Sequence, residues 1–264
     1  MVGLNIYIIS LRNSARRDFQ IKQFSNLGLE FIFFDAITKD EISNPNYLKF
    51  DWERPLNLNE IACYISHKSI WKKTANSTSP SLILEDDAVV SKDLPKLIQN
   101  LLLKTNADYV NLENRNRKKI VSKNRVLSEK EFSLLKLYHD STGAAGYILY
   151  PNGAKKILAC EKRSGVALAD AQISRCSSLI KLQVEPALII QLDMSKTYGI
   201  NIEEDNLLLS KSTVSSSSRP SRSYKFHFRR IMSQLKLGFR KIYLCFYAER
   251  RYIRLASKSS FINF

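Results

Sequence analysis

Leu82-Ile83-Leu84-Glu85-Asp86-Asp87 is the stretch on which the reading of this chain turns. Ser81–Leu84 is apolar without alternation, the pattern of a strand buried on both faces. Three acids follow it without a spacer. In an open α/β sheet, ligands bind beyond the carboxyl ends of the strands. Adjacent carboxylates there repel and raise one another's pKa unless a cation compensates. Residues i and i+2 of an extended chain point the same way, so Glu85 and Asp87 can face one ion while Asp86 faces elsewhere. Such oxygen ligands suit Mg²⁺ or Mn²⁺. The plainer reading is an acidic turn that caps the next helix.

The segments around it have the same texture. Leu4–Leu11 reads as a buried strand, followed by a helix capped by Asn13 or Ser14, carrying Phe19, Phe24 and Leu27 and stopped by Gly28. Leu29–Phe34 is a second strand, giving a βαβ unit with parallel pairing. Asn57–Thr74 predicts a largely buried helix with Asn57 or Asn59 at its cap, and Lys92–Leu103 an amphipathic one. Asp108–Leu112, Ala145–Leu149 and Val184–Ile190 read as strands. Pro151 starts a helix at its first position, and Ala169–Ile180 is helical. Arg115–Arg125, with six basic residues, reads as a loop. Strands alternating with helices predict an α/β fold with a mixed, mostly parallel sheet flanked by helices.

The chain of 264 residues carries 41 Lys+Arg against 25 Asp+Glu, a net charge of +16. That length can bury a full α/β core. An apolar content of 44 % excludes a disordered chain. No apolar run reaches the roughly 18 residues of a membrane span, and the N-terminus lacks the pattern of a signal peptide. Cys63, Cys160, Cys176 and Cys245 are widely spaced, which suits a reducing cytosol and gives neither a disulfide framework nor a zinc motif. The charge is uneven. Residues 219–264 hold 12 Lys/Arg and one acid, Glu249. Lys211–Ser223 is Ser-rich and reads as a linker. Beyond it Phe228, Ile231, Leu235, Phe239, Ile242 and Phe246 recur at helical spacing. The predicted organisation is therefore a domain over 1–210, a linker over 211–223 and a basic amphipathic helical tail over 224–264.

Single residues elsewhere carry less. His67 lies on the buried helix and reads either as a satisfied core histidine or as a ligand. Glu60 complements the dipole at that helix's start. Thr142-Gly143-Ala144-Ala145-Gly146 is a small-residue turn that admits close approach of a ligand or of neighbouring backbone. Asp170, taken alone, reads as an N-cap. Neither G-x-S-x-G nor H-E-x-x-H occurs, so a triad hydrolase or a zincin finds no support.

Taken in order, these pieces resemble the glycosyltransferases of family 25. The resemblance rests on Ile9-Ser10-Leu11 with Ser14, Arg16 and Arg17, on Phe33-Phe34-Asp35-Ala36-Ile37, and on Glu60-Ile61-Ala62-Cys63 with Ser66-His67 and Trp71. Glu85-Asp86-Asp87, Thr142 to Leu149, Asp170 and Pro186-Ala187-Leu188 with Gln191 complete it. It covers about residues 4–195 and is nearest to bacterial lipooligosaccharide β-1,4-galactosyltransferases, which also end in a basic tail. The family's usual Pro-Val-Asp stands here as Leu168-Ala169-Asp170.

The resemblance implies a GT-A-like, Rossmann-type fold and transfer of a hexose, galactose first, from a UDP-sugar with inversion. It implies Mn²⁺ or Mg²⁺ held by Asp87 with Glu85, and Asp193 or His139 as further ligand candidates. Ser10, Leu11, Arg16, Arg17, Asp35, Ser66, His67, Glu85, Asp86, Thr142 and Gly143 would bind the nucleotide sugar. Asp170 would take the proton from the acceptor hydroxyl. The acceptor would be a lipid-linked oligosaccharide. The tail would hold the enzyme at the anionic inner face of the cytoplasmic membrane. Nucleic acid is not expected as a partner, since the chain shows no readout module. Two alternatives stay open: the tail packing on the catalytic domain, and the whole chain being a non-catalytic basic module that binds membrane or nucleic acid.

Overall fold

The run ahead of the acids forms a strand at the centre of one large sheet, and its alternate residues enter two separate cores. The computed structural model describes residues 3–42, 55–101, 105–129, 131–140, 143–202, 224–244 and 246–261. The strands are β1 (Asn5–Ser10), β2 (Ile32–Asp35), β3 (Ser81–Glu85), β4 (Ala88–Val90), β5 (Tyr109–Asn111), β6 (Lys119–Glu129), β7 (Phe132–His139), β8 (Gly146–Leu149), β9 (Lys181–Glu185), β10 (Ile189–Gln191) and β11 (Ala248–Arg251). The helices are α1 (Arg16–Leu27), α2 (Leu58–Ala75), α3 (Leu94–Leu101), α4 (Pro151–Ser164), α5 (Ala169–Arg175), α6 (Ser195–Tyr198) and α7 (Tyr224–Leu244).

Nine strands pair in the order β11-β6-β7-β9-β5-β8-β3-β1-β2, and β10 pairs with β4 in a separate small ladder. β1 is parallel to β2 and β3, and β5 to β9; the ladders made by β8, β7, β6 and β11 are antiparallel. The sheet is therefore mixed and flanked by helices. Leu82, Leu84 and Ile148 point into one core with Phe19 and Phe24 of α1 and Leu94 and Leu97 of α3. Ile83, Tyr147 and Leu149 point into the other with Ile61, Ile70 and Trp71 of α2 and Ile157 of α4. Two covered faces explain why these strands read as continuous apolar runs.

Local signals act largely as read. α2 begins with a reciprocal capping box: Asn57 Oδ1 accepts the Glu60 N–H (2.9 Å) and Glu60 Oε2 accepts the Asn57 N–H (3.0 Å). Glu60 thus does more than complement the dipole. Gly28, at φ 62°, closes α1, and Pro151 occupies the first turn of α4. The start of α1 differs. Its N-cap is Ala15, without a side-chain cap; Ser14, one residue earlier, donates its hydroxyl to Asp86 (2.9 Å) and accepts the Arg16 N–H (3.3 Å). Leu168, not Asp170, is the N-cap of α5.

Two expectations give way. The basic stretch from Arg115 contains β6, an eleven-residue strand paired with β7 and β11. Lys123, Asn124 and Arg125 face solvent while Lys119 and Ser122 are buried, so composition hides the strand. The C-terminal segment is not one helix to residue 264. α7 ends at Leu244, β11 then adds to the sheet edge, and Ile253, Ala256 and Phe261 are buried in the two cores. The expected linker 211–223 lies outside the described residues. Among the described residues, no helix is long and apolar enough to cross a membrane.

Candidate functional site

The pairings Ser10↔Asp35 and Ile9↔Glu85 bring the carboxyl ends of β1, β2 and β3 to one sheet edge. The loop before β8 reaches the same edge, where the Glu85 N–H donates to Ala145 O (3.1 Å). The acidic triplet therefore meets the turn after β1, the end of β2 and the Gly143–Ala145 loop.

β3 ends at Glu85, and Asp86 and Asp87 lie in the turn that follows. Asp86 is fully engaged: Oδ2 accepts the hydroxyls of Ser10 and Ser14 (2.9 Å each) and Oδ1 accepts Arg16 Nη1 (3.0 Å). Gln20 Nε2 donates to the main-chain oxygens of Asp86 and Ala88 (2.9 and 2.8 Å), so α1 is pinned to this turn. Asp87 has the opposite character. Its Oδ1 is buried without a hydrogen-bond partner. Its carboxyl is pushed up to about 8, first by burial and then by the charge of Glu85, against the opposing pull of Arg16. A buried carboxylate left this way is costly, and a cation relieves it. Glu85 is half-buried, with Oε1 on His67 Nε2 (3.2 Å). Asp87 and Glu85 thus offer hard oxygen donors where charge is uncompensated, and this donor set fits a divalent cation such as Mn²⁺ or Mg²⁺. Asp193 adds to the negative potential at Asp87, but it is half-exposed and paired with Arg115 (2.6 Å).

His67 has no solvent exposure, and its environment fixes its tautomer. Trp71 Nε1 donates to Tyr147 Oη (2.8 Å), which lies 3.0 Å from His67 Nδ1. The phenol accepts from Trp71 and so donates its proton to Nδ1, leaving Nε2–H to donate to Glu85. His67 therefore stands behind Glu85 and orients it. Ser66 is equally buried; its hydroxyl donates to Ala62 O (2.9 Å) and accepts the Ile37 N–H (2.9 Å), holding the loop after β2.

The remaining residues frame this centre. Arg17 donates to Ser10 O (3.1 Å) and to Asp35, and lies 4.6 Å over the Phe33 ring. Arg17 first and Arg12 second hold the Asp35 carboxyl below the usual range. Leu11 O accepts the Ser14 N–H (3.1 Å), closing the turn after β1. Thr142 lies outside the described residues. Gly143 has φ 98°, and a Cβ there would lie 3.3 Å from Glu113 Oε1; one on Gly146 would lie 2.4 Å from Ile189. Packing alone thus demands small residues in this loop. Asp170 sits in the first turn of α5 and accepts the Ala171 N–H (2.7 Å). Its carboxyl is raised, mainly by burial and further by Asp140 and Glu85, while N–H groups of Ala171 and Gly143 hold it back. Asp170 and Gly143 line one cavity with Tyr109, Leu137, Asp140, Ile173, Ser174 and Lys181. His139 closes β7 opposite Ile120 in the ladder with β6.

A second buried polar cluster escaped the sequence reading. Glu113 follows β5 and is 1 % exposed; Oε2 accepts the Ala145 N–H (3.1 Å) and Oε1 has no partner. Lys119, also 1 % exposed, donates to Glu113 O and Gln183 Oε1 (2.8 Å each) and pairs with Asp140 at 2.7 Å. Burial raises the Glu113 carboxyl despite Lys119. The available signal was the pattern already used for Glu85, an acid just past a short apolar strand.

The model of one protein family, described as "Glycosyltransferase family 25 (LPS biosynthesis protein)", matches residues 4–171. "Lacto-N-neotetraose biosynthesis glycosyltransferase LgtE" of Neisseria meningitidis serogroup B is 31 % identical over 158 residues, covering 54 % of this chain and 55 % of that protein. "Lipooligosaccharide biosynthesis protein lic2B" of Haemophilus influenzae is 26 % identical over 203 residues, covering 70 % and 75 %. A "Glycosyltransferase 25 family member" of Aedes aegypti is 34 % identical over 96 residues, 31 % of this chain and 16 % of its own. The chain thus spans about half the length of the Neisseria relative.

Proposed function

The chain belongs to glycosyltransferase family 25, and from that premise we propose that it moves a hexose, galactose first, from a UDP-sugar to the terminal sugar of a lipid-linked oligosaccharide. The transfer inverts the anomeric centre and forms a β-1,4 linkage. The observation that carries this reading is Asp87: a half-buried side chain with one buried, unpartnered carboxylate oxygen, a raised pKa and Glu85 beside it, past the carboxyl end of an interior strand. The family relatives named for lipooligosaccharide and lacto-N-neotetraose synthesis support the acceptor class.

In this mechanism Asp87 and Glu85 would hold the divalent cation, with Glu85 oriented by His67. Bound there, the cation would supply charge neutralisation for the departing diphosphate. Asp86 fixes the turn after β1 through Ser10, Ser14 and Arg16, so that the nucleotide meets a rigid wall. Asp35, beyond β2, accepts hydrogen bonds from the nucleoside. Asp170 takes the proton from the acceptor hydroxyl as that oxygen attacks the anomeric carbon. Its raised pKa makes it a stronger base than an ordinary aspartate.

The membrane partner rests on a separate feature. Phe228, Ile231, Leu235 and Ile242 of α7 are between 50 and 69 % exposed, so the described part of the apolar stripe is not covered by the sheet domain. With Arg229 and the other basic residues of this segment it suits the surface of an anionic leaflet. Flotation with anionic and neutral liposomes tests this; equal recovery on both would refute it.

The test of the main reading is UDP release from UDP-galactose with a truncated lipid oligosaccharide as acceptor. Release requires Mn²⁺ or Mg²⁺ and stops in excess chelator. Asp170→Asn lowers turnover by about 10²–10⁴ while UDP-sugar binding persists. No release from any UDP-sugar, or full turnover in chelator, would overturn the reading.

A further inference from the structure

One cluster holds a group the transfer reaction does not use: the thiol of Cys63, beside His67 and Glu85. Cys63 and His67 are one helical turn apart on α2, on the face that meets the end of β3, where Glu85 lies. The Cys63 thiol, a His67 ring nitrogen and a Glu85 carboxylate oxygen lie within 4.8 Å of one another. The cysteine spacing in the sequence gave no zinc motif, because this group uses only one cysteine and takes its third member from another element.

We propose that Cys63, His67 and Glu85 form a binding site for a thiophilic divalent cation, Zn²⁺ first. One sulfur, one imidazole nitrogen and one carboxylate oxygen make a borderline-soft donor set that favours zinc over the hard ions suited to Asp87. Tetrahedral bonds of about 2.0–2.3 Å place ligand atoms roughly 3.3–3.8 Å apart. The cluster therefore needs to close by only about 1 Å, a side-chain adjustment. Three protein ligands leave the fourth position to water.

The surroundings are built for it. His67 Nδ1 already faces Tyr147 Oη at 3.0 Å, and Trp71 holds that phenol at 2.8 Å. When Nε2 ligates the metal, its proton is relocated to Nδ1 and donated to the phenol oxygen, whose own O–H turns out of that contact; this gives the outer-shell contact that metal-bound histidines require. The thiol proton leaves to solvent as sulfur binds. Burial first, then the charges of Glu85, Asp170, Asp87 and Glu60, raise the Cys63 thiol and keep it protonated without a cation; the same charges favour one. Glu85 is 29 % exposed, so the cluster has an opening to solvent. The site shares Glu85 with the cation site proposed at Asp87, and its metal binding is read without sugar transfer.

The test uses the full chain and the metals alone. Co²⁺ added to the reduced protein is expected to give a thiolate-to-cobalt charge-transfer absorption at about one equivalent, displaced by Zn²⁺. Cys63→Ser abolishes the absorption and weakens Zn²⁺ binding by about 100-fold or more, whereas Cys160→Ser keeps both. On the unmodified protein, Zn²⁺ protects Cys63 from alkylation as mapped by peptide mass spectrometry. Lack of the absorption in the folded protein, its persistence in Cys63→Ser, or unchanged alkylation of Cys63 in saturating Zn²⁺ would overturn the proposal.

Discussion

Two carboxylates beyond the carboxyl ends of strands have opposite fates. Glu185 closes β9 and is 5 % exposed at its side chain. Burial alone would raise its pKa. Arg251 grips both oxygens (2.6 and 2.9 Å) and the Arg254 N–H adds a third bond (2.9 Å), so the carboxyl is held below its usual value. Asp87, past β3, has one buried oxygen with no partner and a pKa pushed up to about 8. The contrast separates two uses of the same group. Where the fold needs a carboxylate it supplies the counter-charge from its own chain, here the C-terminal segment. Where it leaves the counter-charge out, the group is open to one brought by a ligand.

The largest effect expected from this contrast is on catalysis. Asp87→Ala lowers turnover by about 10³-fold, equivalent to about 4 kcal/mol of barrier. Its unfolding midpoint in denaturant stays level or rises, because an uncompensated buried charge is gone. A variant that keeps its turnover breaks the comparison.

Arg251→Ala has the reverse profile. It removes one partner of a mostly buried pair and destabilises by about 2–3 kcal/mol, below the figure for fully buried pairs because Arg251 is 29 % exposed. Chemical denaturation measures that loss, and turnover of the folded fraction is retained.

Acid and base sharpen the same difference. Glu185 has a lowered folded pKa, so its contribution is full above about 4.5 and is lost as the pH falls through the lower folded value. The cost of Arg251→Ala therefore shrinks in acid. Asp87 runs the other way. Its unfolded form releases a proton near 3.8 while the folded form keeps it to about 8. In chelator, stability thus declines as the pH rises between those values, and Asp87→Asn flattens the slope. Melting temperatures of both proteins from pH 4 to 9 check the sign.

The smallest effect marks the baseline. Lys96 and Asp93 form an exposed ion pair (2.8 Å) on α3, and Lys96→Ala costs no more than about 0.5 kcal/mol by the same denaturation measurement.

What the sequence disclosed follows from burial. β1, β3, β5, β8 and β9 were legible because both faces of the sheet are covered there, which leaves unbroken apolar runs; β2, half-exposed at the edge, was legible from its apolar composition alone. β6 and β11 were not: β6 mixes buried and exposed charged residues, and β11, at the sheet edge, pairs with a strand more than a hundred residues earlier. Pro186 divided the run from Val184 into β9 and β10. Within the site, the i/i+2 rule assumed an extended chain, whereas Asp86 and Asp87 lie in the turn after β3. It could not reveal that Asp86 binds Ser10, Ser14 and Arg16, nor that Tyr147 and Trp71 fix the His67 ring, since those contacts span dozens of residues. Glu113 and Lys119 were hidden for the same reason: each is an ordinary charged residue until the fold buries it.

The most direct test of the central claim is an Mn²⁺ titration of the full chain followed by electron paramagnetic resonance, with UDP present, for the wild type and Asp87→Ala. The wild type is expected to take up about one Mn²⁺ at this acidic edge, and Asp87→Ala to leave the ion free over the same range. Equal uptake by both proteins would contradict the role assigned to Asp87.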